Sequence, residues 1–179
     1  MIYPFRTALP RCMVPVLAAV AVASACDLTD PLPLEPFIQT DATTYQLVSD
    51  ADGLATEIPY VFENRTGASV YLVNCSGAFA LKLERLEHDQ WNVAWSPFLA
   101  LCLSPPIVIE AGATFADTLR VWGSPPNQNS APSFDVVDPS GTYRLVWDAA
   151  LSSFQDHLPF GKPIPFRYRV SNPFTLRAE

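Results

Sequence analysis

The sequence predicts an all-β fold, an antiparallel β-sandwich of about seven to nine strands, behind a short export segment and a Pro-rich lead. Three observations predict it. Eighteen prolines stand against seven glycines in 179 residues, and proline is poor inside helices but suits edges, turns and extended tethers. Short segments alternate apolar and polar residues with a period of two, as half-buried strands do. Turn residues punctuate these segments, with no convincing long helix and no repeat between them.

Residues 1–12 hold Arg6 and Arg11 and no acid, and Met13 to Ala25 is apolar and rich in Ala and Val. A basic region, a short apolar run and small residues follow the order of a signal peptide. The run falls short of the ~20 residues that span a bilayer as a helix, and Pro15 disfavours a regular one. Ala23-Ser24-Ala25-Cys26 resembles the lipobox of bacterial lipoproteins, with Ala23 where Leu is commoner. The resemblance implies cleavage before Cys26, a diacylglycerol on its thiol, and a membrane partner reached through that lipid. Two or more acyl chains hold firmly where one binds only marginally. The alternative is an ordinary secretory signal cut after Ala25, with Cys26 free or paired. The expected location is the bacterial cell envelope, periplasmic or outer-surface.

Residues 26–42 follow as a lipidated Cys and a Pro-rich stretch. Near polyproline geometry such a segment reaches about 50 Å. It reads as a tether, most clearly in its first ten residues, or as an edge strand packed through Leu32, Leu34 and Phe37. Removing residues 1–25 takes away Arg6 and Arg11, so the net charge goes from −7 to −9. That balance argues against nucleic acid and against electrostatic binding to anionic lipid.

With Cys12 removed and Cys26 modified, Cys75 and Cys102 remain. In an oxidising compartment they are expected to form a disulfide closing a loop of about 27 residues. Two buried thiols are the alternative. No CxxC spacing or nearby histidine makes them a metal site.

The domain proper is expected over residues 43–179. Thr44 to Val48 is a first strand. Glu57 to Asn64 alternates, with Ile58, Tyr60 and Phe62 on one face, and Pro59 places it at an edge or a strand start. Asn64-Arg65-Thr66-Gly67 is a turn and Ser69 to Asn74 returns, so residues 57–75 read as a hairpin. Phe79 to Glu87 is a strand, with a short helix over 80–88 as its alternative. His88-Asp89-Gln90 turns into Trp91–Trp95, with Trp91, Val93 and Trp95 on one face. Ser96 to Pro106 is a loop pinned by Cys102. Ile107–Ile109 and Thr114–Trp122 are strands about the Glu110-Ala111-Gly112 turn. Gly123 to Pro132 is a polar loop, and Phe134 to Val137 is a short strand. Gly141 to Trp147 carries the strongest strand signal. A loop over 150–163 precedes a closing strand, Ile164 to Val170.

Asn64-Arg65-Thr66-Gly67-Ala68-Ser69-Val70, Trp91, Ile109-Glu110-Ala111-Gly112-Ala113-Thr114 and Gly141-Thr142-Tyr143-Arg144-Leu145 together resemble bacterial immunoglobulin-like domains, over residues 57 to 147. The resemblance implies an immunoglobulin-like sandwich. Asp138 to Tyr143 is similar to the tyrosine corner that opens strand F. Leu145 stands where antibody domains place a cysteine, so their inter-sheet bridge and binding loops are not carried over. Bacterial proteinase inhibitors of similar strand order share the Gly-x-Tyr strand, but no inhibitory loop maps residue by residue.

Catalytic candidates are few. His88-Asp89 and Asp156-His157 pair an acid with a histidine, but neighbours in a turn point apart. No nucleophile elbow, HExxH or phosphate loop is present. Trp91, Trp95, Trp122 and Trp147 fit a core better than a glycan platform, with Trp95 and Trp122 the two placed to show a face to solvent. No enzyme activity, cofactor, metal or nucleic-acid partner is expected. The expected function is a lipid-anchored binding module whose loops 123–132 and 150–163 meet a protein or glycan. Envelope proteinase inhibition is the alternative.

Overall fold

A computed structural model describes residues 35–50, 53–99, 102, 104–124, 132–153 and 161–178, which belong to one compact unit, Leu32–Glu179. The expected signal segment, Cys26, Leu32, Leu34, Asp156-His157, most of 123–132 and half of 150–163 lie outside the described residues. The fold is all-β. Its strands are β1 (Ile38–Thr40), β2 (Thr44–Asp50), β3 (Gly53–Glu63), β4 (Val70–Leu72), β5 (Asn74–Cys75), β6 (Ala78–Phe79), β7 (Leu81–Glu87), β8 (Gln90–Trp95), β9 (Ile107–Ile109), β10 (Thr114–Gly123), β11 (Gly141–Trp147), β12 (Ala150–Leu151) and β13 (Phe174–Ala178). Thirteen described strands exceed the expected seven to nine because ladders such as β5, β6 and β12 are two residues long. Alternation cannot register over two residues.

The main sheet runs β1-β3-β2-β13-β11-β7-β8, with β10 along the other edge of β3. β2 belongs to both halves. Val48–Asp50 pair antiparallel with β3, while Thr44–Leu47 pair parallel with β13. The sheet is therefore mixed, which corrects the purely antiparallel expectation. Strand direction leaves no mark on side-chain periodicity. Two small sheets, β12-β4-β9 and β5-β6, complete the set.

The two halves of the main sheet enclose a common core. Ile58, Tyr60 and Phe62 of β3 are buried with Leu81, Leu83, Tyr143, Leu145 and Trp147 of β7 and β11. Trp147 sits among aromatic rings, edge-on to Tyr60 and Phe62 at 5.8 and 5.5 Å. Such T-shaped contacts add to what burial alone contributes. At the head of β11 the buried Tyr143 hydroxyl donates to the Pro139 carbonyl at 2.6 Å, the bond expected of the Asp138–Tyr143 corner.

Several expectations need correction. Residues 57–75 are not a hairpin, because β3 pairs with β10 while β4 pairs with β9 and β12. Asn64 is the reason. It is fully buried, and its amide nitrogen donates to the carbonyls of Ala68, Ile109 and Glu110. Its side-chain oxygen accepts from the Thr66 N–H and hydroxyl. The turn is thereby tied to the Glu110–Ala113 turn and sends the chain into another sheet. Ile164–Val170 is not a strand either. Phe166–Tyr168 is a 3₁₀ turn behind Pro165, and the closing strand is β13. Of Phe134–Val137 only Phe134 bridges Trp95, and Val137 is exposed. Residues 81–87 are strand, so the helical alternative there falls. Phe37 is buried and β1 pairs with β3, so the packed-edge alternative holds from Phe37 onward. The Cys75–Cys102 disulfide is formed.

Candidate functional site

Pro59 lies inside the eleven-residue β3, not at a strand start. It is tolerated because of the edge it faces. The Pro59 carbonyl accepts from the Asp41 N–H at 3.3 Å, and the Glu63 N–H donates to Phe37 at 2.9 Å. Backbone groups alternate sides along a strand, so Pro59, Val61 and Glu63 address the β1 side. The missing N–H thus falls between β2 and β1, where no partner needs it. Ile58, Tyr60 and Phe62 address β10, opposite Leu119, Asp117 and Phe115.

The same alternation gives β10 an open edge. Its groups at Phe115, Asp117, Leu119 and Val121 bond β3, and those at Thr114, Ala116, Thr118, Arg120 and Trp122 point away. Among the described residues one of these outward groups is engaged, the Trp122 carbonyl, which accepts the Trp95 indole N–H at 2.9 Å. No described strand pairs with this edge.

Beside the edge lies a pocket of about 410 Å³ between the core side of β10 and the wall made by β6, β8 and the chain just after β8. Tyr60, Phe79, Trp95, Phe98 and Asp117 are among its lining residues. The wall is positioned by three local features. Ser76 and Gly77 both have positive φ, at 57° and 92°, which turns β5 tightly into β6. Cys75 at that hairpin is bonded to Cys102. In β8 the register against β7 shifts so that Glu84 opposes Val93 and Leu83 opposes Trp95. This bulge at Ala94 re-aims the next side chain.

The bulge overturns the shared face expected for Trp91, Val93 and Trp95. Trp95 is buried, 1% exposed, while Trp122 is 57% exposed and Phe98 69%. Of the two tryptophans expected to meet solvent, Trp122 does and Trp95 does not. Trp147 is core. Trp91 offers no bare platform, because the Arg144 guanidinium lies 4.3 Å over its ring. Arg144 also bonds Glu84 through Nε and Nη2, at 2.9 and 2.6 Å.

The chemistry of the pocket resides in Tyr60 and Asp117. The Tyr60 hydroxyl, nearly buried, donates to Asp117 Oδ2 at 3.5 Å. Desolvation, followed by the Asp117 charge, pushes the phenol pKa well above its ordinary value. It therefore keeps its proton and acts as a donor. Asp117 is exposed and has no ion-pair partner among the described residues. Arg120 also borders the pocket, but its guanidinium pairs with Glu57 at 3.3 Å and not with Asp117. The pocket thus joins aromatic walls to an unneutralised carboxylate.

His88 and Asp89 form the exposed β7–β8 turn, with φ of 49° and 62°. No group of three or more His, Cys, Asp or Glu side chains suited to a metal ion occurs among the described residues. Tyr60, Phe98 and Asp117 were not singled out from the sequence. The available signal was Asp117 itself, an acid within the inward series Phe115, Leu119, Val121.

No protein-family model matches the chain, and no curated protein does. One solved structure is similar at a TM-score of 0.33 and 11% identity. It is the Pseudomonas fluorescens alkylpurine DNA glycosylase AlkC bound to DNA containing an abasic site analog, with 82% of this chain and 32% of that one covered. The chain spans about a third of that protein's length, and a likeness this slight carries no argument about fold or function.

Proposed function

We propose that this protein is a lipid-anchored, non-enzymatic binding module of immunoglobulin-like fold at the bacterial cell envelope. The observation that carries the binding reading is the open edge of β10 beside an aromatic pocket with an unneutralised acid. Exposed aromatic side chains and an unpaired sheet edge are surfaces that soluble domains ordinarily cover or blunt. The immunoglobulin-like reading is supported by the strand order. The first segments are split between an antiparallel pairing with β3 and a parallel pairing with the last strand, and a tyrosine corner opens β11. The anchoring reading is supported by Ala23-Ser24-Ala25-Cys26 and the Pro-rich residues after it.

Mass spectrometry of the mature N-terminus tests the anchor. The expected result is a chain beginning at an acylated Cys26, and Cys26→Ser should move the protein from the membrane to the soluble fraction. An unmodified Cys26 in the wild type would remove the anchor from the reading. Retention of an envelope protein or glycan by the immobilised protein tests binding. Loss of that retention on changing residues of the β10 edge is the result that supports this site.

A further inference from the structure

We propose that the open edge of β10 takes an extended segment of a partner protein as an added strand, with a Lys or Arg side chain of that segment on Asp117. This rests on the binding-module reading and names the partner's chemistry. The outward backbone groups of Thr114, Ala116, Thr118 and Arg120 have no partner among the described residues. They alternate as an incoming strand requires, so main-chain hydrogen bonds supply affinity. The bond from the Trp95 indole to the Trp122 carbonyl closes the edge at that end, leaving Thr114 to Arg120 for the guest.

Side chains directly opposite across a ladder share a face. The guest residue facing Asp117 therefore projects into the pocket. Charge complementarity selects its type. The Asp117 carboxylate has no ion-pair partner among the described residues, Arg120 of the same pocket being paired with Glu57, the protonated Tyr60 contributes a donor but no charge, and the whole chain carries −7. The exposed Phe98 ring on the pocket's far wall suits the stem and cationic head of such a side chain. An acidic or purely apolar guest would leave the carboxylate desolvated and unpaired, at a cost.

The test uses random peptides displayed on phage, selected on the exported protein, then labelled and titrated by fluorescence anisotropy. The selected peptides should carry Lys or Arg among β-branched residues. Asp117→Asn should weaken them about tenfold or more, the size of a charge-assisted hydrogen bond. Thr118→Pro removes an outward N–H and leaves the β3 ladder intact, so it should abolish binding while circular dichroism and the urea midpoint hold. If Thr118→Pro fails to fold, Ala116→Pro makes the same test two residues along the same edge. Peptides that bind both variants as they bind the wild type would overturn strand addition. An envelope partner retained equally by both variants would do the same, while the binding-module reading stands. If no peptide is selected and no envelope partner is retained, both readings fall.

Discussion

Replacing Tyr143 by Phe removes one oxygen and tests the corner that opens β11. The ring is fully buried, and its hydroxyl donates to the Pro139 carbonyl at 2.6 Å. A net hydrogen bond contributes about 1 kcal/mol and a stranded buried acceptor adds to the loss, so about 1.4 kcal/mol should disappear at neutral pH. The same burial holds the phenol's proton. Desolvation raises its pKa from 10.0 to about 12, against a smaller lowering by Arg85. Between those values the unfolded chain has released this proton and the folded chain has kept it, so stability falls as pH rises. The loss sets in near pH 10 and goes on growing to about pH 12. At about pH 11 the loss is about 1.4 kcal/mol, one tenfold step in the equilibrium. Wild type and variant should therefore meet near pH 11 and exchange order above it. Tyr45 and Tyr60, also shifted upward, are present in both proteins and cancel. Urea unfolding followed by tryptophan emission reads the difference. At a slope of about 2 kcal/mol/M the midpoints should differ by about 0.7 M at neutral pH and coincide near pH 11. Equal midpoints at neutral pH, or curves that stay parallel through the alkaline range, would refute the reasoning.

Two further outcomes follow from buried contacts. Arg144 and Glu84 keep only 11% and 10% of their side chains exposed, so Arg144→Leu should cost about 3 kcal/mol by stripping Glu84 of its two guanidinium hydrogen bonds and leaving it only Lys82, at 3.5 Å. The double change to Leu at both positions should recover most of that, as a double-mutant cycle of urea midpoints would reveal. Reducing the Cys75–Cys102 bond frees a loop of 27 residues. This should lower stability by about 3 kcal/mol, a midpoint shift of about 1.5 M urea if the bond acts mainly on the unfolded chain.

The strands that could be read from the sequence carry a local signal of their own. Glu57–Asn64 alternates because one face of β3 meets the core, whereas Gly141–Trp147 is buried on both faces from Tyr143 onward and shows as a short apolar run bounded by turn residues; their positions match β3 and β11 within a few residues. What alternation cannot encode is which strands become neighbours. A turn rich in Asn, Thr and Gly reads as a hairpin, yet the buried Asn64 amide makes it a corner between sheets. Ile164, Phe166, Tyr168 and Val170 copy a strand's period by accident, because the chain winds into the 3₁₀ turn Phe166–Tyr168 after Pro165 and leaves Phe166 45% exposed. β13 was missed because Phe174–Ala178 buries only Phe174 and Leu176, too few for a clear alternation, and its parallel partner lies at the other end of the chain. One unpaired residue at Ala94 sends Trp95 inward and leaves Trp91 and Val93 outside.

The candidate site was harder to read for the same reason. An open edge belongs to the ladder, and a ladder is set by contacts between residues far apart in sequence. Nothing within Thr114–Gly123 states that one side of it is paired and the other is not. Asp117 is the exception. In the series Phe115, Asp117, Leu119, Val121 it alone carries charge at a position whose neighbours point inward, and it stays exposed, so water solvates it until a cation or donor takes that place. Tyr60 supplies a donor at the long distance of 3.5 Å, and no cation follows among the described residues. A carboxylate kept for packing would have its charge answered within the fold, as Glu84 has with Arg144 and Lys82 at 2.6 and 3.5 Å. Asp117 is left for something outside the chain to answer, and the open edge beside it is the route by which an extended basic segment would arrive.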